Sequence, residues 1–420
     1  MATLSSIITP SNITTATNTQ TLTNKTLTGA VMDGTLGATT PSTVAATTLS
    51  ASGASTFPNS APSVIGGLGF RNRVINGDMR IDQRNEGASV SVSTGGQPYG
   101  VDRWNGQGTA AAGVFSLQRS TSTPPAGFTN FTRITTTTAD ASPAAGSVYN
   151  FRHQIEGNNL QDFQFGAATA KTVTISFWVR SSLTGTFSGA FANNAFNRGY
   201  PFTYAISVAN TWEQKSIAIA GDTTGTWLTD NGIGLRVYFD LGSGSNFRGT
   251  AGAWAASGLI GATSAVRVIS TVSATFDLTG VQLEVGNAAT EFERRPFGQE
   301  LALCQRYYAT SIETGKIVTD FATINANGLG GIVGFSTAAN GDLFVPIRFP
   351  VSMRSNPTLT VYSGANRTAG SVRDMTTGTD VTGFSNGGAT SNNQGISYIT
   401  GSTLTANRAY GFHYVASAEF

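Results

Sequence analysis

Short runs of strict two-residue alternation set the limits on what this chain can fold into. Tyr149 to Glu156 puts Tyr149, Phe151, His153 and Ile155 on one side and Asn150, Arg152, Gln154 and Glu156 on the other, the period of a strand with one buried face. Lys171 to Arg180 repeats it, with Val173, Ile175, Phe177 and Val179 inward and Thr174, Ser176, Trp178 and Arg180 outward. Leu235 to Leu241 buries Leu235, Val237, Phe239 and Leu241 and turns Arg236, Tyr238 and Asp240 out. The phase changes between Phe276/Leu278 and Val281/Leu283/Val285, so Gly280 is expected to mark a bulge.

Composition agrees with an all-β reading. Only 11% of the 420 residues are charged, while 50 are glycine and 10% are aromatic, a balance that favours strands and turns over helices. Hydrophobic residues make up 40%, enough to bury cores. A net charge of +2 without a basic run gives no footprint for nucleic acid or an anionic membrane. Cys304 stands alone and the two histidines are His153 and His413, which argues against a His/Cys zinc site. Met1 to Pro10 lacks a basic start and no apolar run approaches 18 residues, so neither a signal peptide nor a membrane span is expected.

Four domains follow from these textures. Residues 1–70 carry Lys25 and Asp33 as their only charges and Phe57 and Phe70 as their only aromatics. They read either as a flexible Ser/Thr/Gly linker or as a shaft in which several copies bury their spaced Leu, Ile and Val together. Residues 71–296 carry the alternating runs and turn residues of an antiparallel β-sandwich of jelly-roll type. Residues 297–308 form a helical linker, with Leu301, Cys304 and Tyr308 at helical spacing from Gly298 to Tyr308. Residues 309–420 return to strands, with a hairpin turning at Asn340-Gly341 and a polar stretch between Ser363 and Gly395.

Several segments together resemble the tail fibre and receptor-binding proteins of tailed bacteriophages. They are Arg71-Asn72-Arg73-Val74-Ile75-Asn76-Gly77-Asp78-Met79 with Tyr99 to Trp104; Leu278 to Gly286 with Thr290 to Pro296 and Leu303 to Tyr308; Phe349 to Thr358; and Phe412 to Phe420. Gln154-Ile155-Glu156 and Thr174 to Arg180 are similar to strands of carbohydrate-binding modules. The Thr-Leu-Thr-Asn-Lys-Thr-Leu run from Thr21 to Leu27 is similar to the N-terminal shafts of phage fibres. The resemblance implies a homotrimer located in the virion and held by its shaft to a tail or baseplate protein. It also implies adsorption to a host surface polysaccharide or lipopolysaccharide, with no membrane insertion. No organic cofactor is implied, and a structural Ca²⁺ in the jelly roll stays open, since related modules hold one.

Sugars are held by aromatic rings and by Arg, Gln, Asn and Asp side chains. On the jelly roll, Arg152, Gln154, Trp178, Arg180, Arg236, Tyr238 and Asp240 are the candidates, provided their strands are neighbours. Packing against another subunit enriches the same residue types and is the commoner use of such a face. In the last domain the candidates are Arg367, Arg373, Asp374, Phe384 and Asn386, on loops expected to lie far from the anchor. Trp104 and Trp212 read as structural.

No enzyme is expected. Gly383-Phe384-Ser385-Asn386-Gly387 fits G-x-S-x-G but sits in a Gly/Asn-rich loop rather than between strand and helix. Glu291 and Glu293 belong to the linker motif and are expected to pair with Arg294 or Arg295. Gly328-Leu329-Gly330-Gly331 lacks the lysine of a phosphate loop. The alternatives are a tailspike depolymerase acting through two carboxylates roughly 5 to 10 Å apart and a structural connector carrying another adhesin.

Overall fold

The computed structural model describes residues 70–109, 112–312, 316, 332–336, 342–364, 368–384, 389–400 and 404–420, all within one compact unit, Phe57–Phe420. The shaft or linker expected at residues 1–70 lies outside the described residues except for Phe70. So do the Asn340-Gly341 turn and Ser385 to Gly387 of the G-x-S-x-G match.

Among the described residues the chain is β with a single α-helix. Its first strands run β1 (Val90–Val92), β2 (Tyr99–Val101), β3 (Trp104–Gly108), β4 (Val114–Ser120), β5 (Phe131–Thr138), β6 (Tyr149–Glu156) and β7 (Val173–Ser181). Then come β8 (Gly185–Ala192), β9 (Gly199–Ile206), β10 (Glu213–Ile219), β11 (Ile233–Asp240), β12 (Arg248–Gly249), β13 (Gly261–Ala262) and β14 (Thr275–Val285). Twelve of them form two six-stranded antiparallel sheets, β1-β4-β5-β14-β7-β10 and β2-β3-β6-β11-β8-β9, while β12 and β13 pair with each other in parallel. The non-consecutive order is that of a jelly-roll sandwich.

The three alternating runs are β6, β7 and β11, and the residues expected inward line the space between the sheets. Trp104 stacks on Phe151 at 5.1 Å, and Phe177 meets Phe239 edge-on at 5.1 Å. At the expected bulge the β14–β7 register shifts between Thr279 and Gln282, with Gly280 at φ +62°. The Arg71 to Met79 motif serves that bulge. The Asn72 amide donates to the Val281 carbonyl (3.1 Å) and its oxygen accepts the Leu283 N–H (3.0 Å), while Val281 N–H reaches the Gly77 carbonyl (2.9 Å).

The helix, α1 (Phe297–Gln305), ends three residues before the expected Tyr308. Tyr308 instead opens a strand paired with Ser417, and the Tyr307 hydroxyl donates to Glu156 at 2.7 Å, so tertiary bonds outcompete another helical turn. Leu301 and Cys304 face Ile75, Ile81 and Tyr307 as the spacing implied. Glu293 pairs with Arg295 at 3.7 Å, as expected of the linker.

The last domain contains β15 (Tyr308–Thr310), β16 (Ile332–Ser336), β17 (Asp342–Arg348), β18 (Thr358–Tyr362), β19 (Ser371–Asp374), β20 (Thr379–Thr382), β21 (Ala389–Asn392), β22 (Gly395–Thr400) and β23 (Arg408–Ser417). The long β23 holds it together. Its first half pairs with β16 and β19 and its second half with β15 and β18. Leu343, Val345, Ile399, Tyr410 and Phe412 fill the core beneath.

Candidate functional site

The condition placed on the jelly-roll candidates holds for some of them. β6 and β11 are neighbours, with Arg236 opposite Gln154 and Tyr238 opposite Arg152. β7 belongs to the other sheet, so Trp178 and Arg180 lie on the opposite side of the sandwich. The seven therefore do not form one platform.

The expectation that the β6–β11 face is open is corrected. All eight residues of β6 are buried, Arg152 at 7% and Gln154 at 5% exposure. Tyr238 packs with Val148, Ala192 and Ile260 under Phe196 and Phe247, because the chain after β11 folds back across this face. Asp240 anchors that return. It accepts the Gly242 and Ser243 N–H groups (3.0 and 2.8 Å) and pairs with Arg248 at 2.6 Å. Arg152 donates to Asn105 (3.2 Å), Gln107 (2.9 Å) and Gln97, and Arg236 to the carbonyls of Asn193 (2.6 Å) and Asn194 (2.7 Å). Polar groups already bonded to one another in this way have little left for a ligand.

On the other sheet, Asp277 sits between Arg133 and Arg180, each with an oxygen at 2.8 Å. Arg180 also lies over the Trp212 ring at 4.6 Å, and Trp212 donates to the Thr123 carbonyl at 2.8 Å, so Trp212 is structural as expected. Trp178 is half-buried beside the bulge at Gly280.

Of the last-domain candidates, Arg367 and Asn386 lie outside the described residues. Arg373 is partly exposed and pairs with Asp380 at 3.2 Å. Two others are corrected to structural roles. Phe384 is 3% exposed within the core of this domain. Asp374 is 2% exposed and bonds to Arg408 (2.6 Å) and to the N–H groups of Thr376 and Thr377 (2.8 and 3.1 Å). Burial alone would raise the Asp374 carboxyl, but these bonds outweigh it and hold it below the usual carboxylate range.

A site that sequence reasoning missed lies at one end of the sandwich. Phe165, Tyr200, Trp227 and Trp254 are half-buried and converge there from four separate segments. Trp227 and Trp254 meet at 5.3 Å, Phe165 lies 5.0 Å from Trp227 and 5.7 Å from Trp254, and Tyr200 lies 5.2 Å from Trp254. All four contacts are steeply inclined, between 62° and 81°, so the rings wedge one another upright instead of stacking face to face. The indoles are pinned by their N–H groups, Trp254 to the Ala220 carbonyl (2.8 Å) and Trp227 to Thr224 (3.1 Å).

The loops beneath are closely fitted. Gly166 (φ +87°) donates to the Asp222 carbonyl at 2.7 Å, and a Cβ on it would stand 2.8 Å from the Gly225 carbonyl oxygen. Arg198 and Asp222 form a two-pronged pair beside the cluster (2.8 and 2.7 Å). Burial acts to raise Asp222, yet Arg198 and Thr224 together hold its carboxyl below the usual range. A cavity of about 30 Å³ opens next to Trp227, and exposed Gln161, Gln164 and Thr229 stand on its rim. Trp227 and Trp254 sit in Gly/Thr/Ala-rich stretches without alternation. The one signal available was that a tryptophan in such a loop has no strand to serve.

Among the described residues no group of three or more His, Cys, Asp or Glu could hold a metal, and no helix is long and apolar enough to cross a membrane. No protein-family model matches the chain and no curated protein matches it. Among solved structures, similarity extends to the enzymatically active domain of bacteriophage CBA120 tailspike protein 4, at 14% identity and TM-score 0.27. That match covers 52% of this chain and 22% of the tailspike domain. A family 11 carbohydrate-binding module from Clostridium thermocellum, solved with a mixed-linked tetrasaccharide, matches at 13% identity and TM-score 0.25 over 48% of this chain and 98% of its own. A family 4 carbohydrate-binding module matches at 13% identity and TM-score 0.25 over 50% and 98%. The structural neighbours of this chain are thus carbohydrate-binding modules and a phage tailspike domain, each covering about half of it.

Proposed function

We propose that this chain is a non-enzymatic carbohydrate-binding subunit of a phage adsorption fibre, and that the end of its sandwich holds the sugar. The observation that carries the binding reading is the cluster of Trp227, Trp254, Phe165 and Tyr200, half-buried and bordered by exposed amides. Rings set upright by their neighbours offer apolar edges and faces to the C–H side of a pyranose, while Gln161, Gln164 and Thr229 supply hydrogen bonds to its hydroxyls. The Arg198–Asp222 pair cancels its own charge, which suits a neutral sugar better than a uronate.

Binding over hydrolysis is supported by the burial of one raised carboxyl, Asp102. Asp102 is pushed up to about 6, first by burial, in the direction a general acid needs. Its side chain is only 1% exposed and bonded to Gln83, so no glycosidic oxygen reaches it. In this reading three copies associate through residues 1–70 and a tail or baseplate protein holds that end. The fibre then sits on the virion, where repeated weak contacts to host polysaccharide or lipopolysaccharide add up to avidity.

The deciding experiment is calorimetry of the full chain with neutral surface polysaccharide fragments, for the native protein and for Trp227→Ala and Trp254→Ala. At least a tenfold loss of affinity in both variants (about 1.4 kcal/mol), with Trp178→Ala near native, supports the reading. Unchanged affinity in the two variants overturns the site, and shortened polysaccharide after incubation overturns the non-enzymatic claim.

A further inference from the structure

The outer face of the last domain carries an apolar patch that is exposed among the described residues. Phe335 on β16 registers with Phe344 on β17, and Phe344 with Tyr398 on β22, so three aromatic residues form a row across three adjacent strands. Phe335 is 62% exposed and Phe344 59%; Val333, two residues before Phe335, is 45% exposed, and Met375, lying over Gly411 on the same face, 43%. With roughly 150–250 Å² for a whole aromatic side chain, these four residues alone present on the order of 400 Å² of apolar surface. That is near the largest patch an ordinary monomer shows, about 300–600 Å². It also approaches the apolar share, about 57–65%, of the roughly 800 Å² that one partner contributes to a stable interface.

The charges on the same face say what covers it. The exposed positions of β17 read Asp342, Phe344, Pro346 and Arg348, an acid at one end and a base at the other, about 20 Å apart at strand rise. Neither Asp342 nor Arg348 belongs to an ion pair among the described residues. A strand with this pattern complements itself. When two copies meet face to face about a twofold axis, β17 runs antiparallel to the partner's β17. Asp342 then meets the partner's Arg348 at both ends, and Phe344 lies against the partner's Pro346 between them. A neutral glycan would use neither charge, and the exposed phenylalanines carry no hydrogen-bonding tip for sugar hydroxyls.

We propose that this face binds a second copy of the same chain through a twofold contact centred on β17. The contact is separate from any association of residues 1–70. A twofold contact of this kind cannot lie on a threefold axis, so in a three-chain fibre it joins the ends of neighbouring fibres.

The test uses the full chain carrying Pro346→Cys and a bismaleimide spacer of about 10 Å, the spacing of sheets packed face to face. Cys304 is buried and its thiol pushed up by burial, so it stays silent. Val285→Cys, 41% exposed on the sandwich, is the control. Covalent dimer should form at least fivefold faster than in the control. Asp342→Arg or Arg348→Asp should each cut the yield at least threefold, and the two together should restore it. Sedimentation of chains with the native Pro346 reads the same pattern: a weaker association for each single reversal and recovery for the double. Cross-linking no faster than the control, or charge reversals without rescue, overturns the proposal. So does protection of the face by soluble glycan in a chain that does not self-associate, which would make it a ligand site.

Discussion

Glu156 closes the outer edge of β6 and at the same time fastens α1 to the sandwich. Its oxygens accept from Arg306 at 2.6 and 2.9 Å, from Tyr307 at 2.7 Å and from Asn158 at 2.9 Å. Burial would raise this carboxyl, but the bonds from Arg306, Tyr307 and Asn158 win and lower it. A lowered acid stabilises the fold above its unfolded value, near 4.5, and that contribution disappears as pH falls through the still lower folded value. Glu156→Gln should therefore cost about 3 kcal/mol at pH 7 and flatten the acid side of a stability–pH curve, measurable by urea titration between pH 3 and 7. In the sequence Glu156 read as one more outward polar residue of an alternating strand. Alternation reports which face a side chain takes, not what later covers that face, and for the same reason Arg152, Tyr238 and Asp240 passed as surface.

Among the elements, β14 shows how far local pattern reaches. The phase change around Gly280 announced a bulge, and the bulge is there because φ +62° is open to glycine at little cost. Nothing local announced that Asn72, some 200 residues earlier, would satisfy the groups the bulge exposes. A methyl on Gly280 would stand 2.6 Å from the Phe128 ring, so Gly280→Ala should destabilise by about 2–3 kcal/mol, read as a shift in denaturant midpoint without a change in slope. The aromatic cluster illustrates the same limit. Three of its rings sit in irregular turns, after β6, β10 and β12, and the fourth, Tyr200, at the start of β9, so the cluster arises only where these segments meet. Strand periodicity therefore carries no trace of it.

On the scale of the molecule, sandwich, helix and last domain are stitched by buried charge. Arg103, 2% exposed, pairs with Glu419, which also binds Arg84 at 2.6 Å. Arg354 donates to the Ala418 carbonyl at 2.7 Å and to the Asn231 carbonyl of the sandwich at 2.9 Å. The described part of the chain should melt in a single calorimetric transition. Glu419→Ala strands Arg103 without its partner, at about 3–5 kcal/mol, and should split that transition in two. Two separate transitions in the native chain would rule out the coupling.

The clamp at the foot of the sandwich has a mechanical meaning. Arg295 donates to the Asn72 carbonyl and pairs with Glu300 at 3.3 Å, and its guanidinium lies 5.4 Å from the Phe70 ring. The points where the chain joins and leaves the sandwich are therefore side by side. A pull transmitted from residue 70 to residue 297 would run across that short bridge and leave the twelve strands above it slack, like a knot beside a taut line. Tension would have to tear Arg295 from Asn72 before it could begin to unzip a sheet, and until then the rings of the aromatic cluster would ride unloaded.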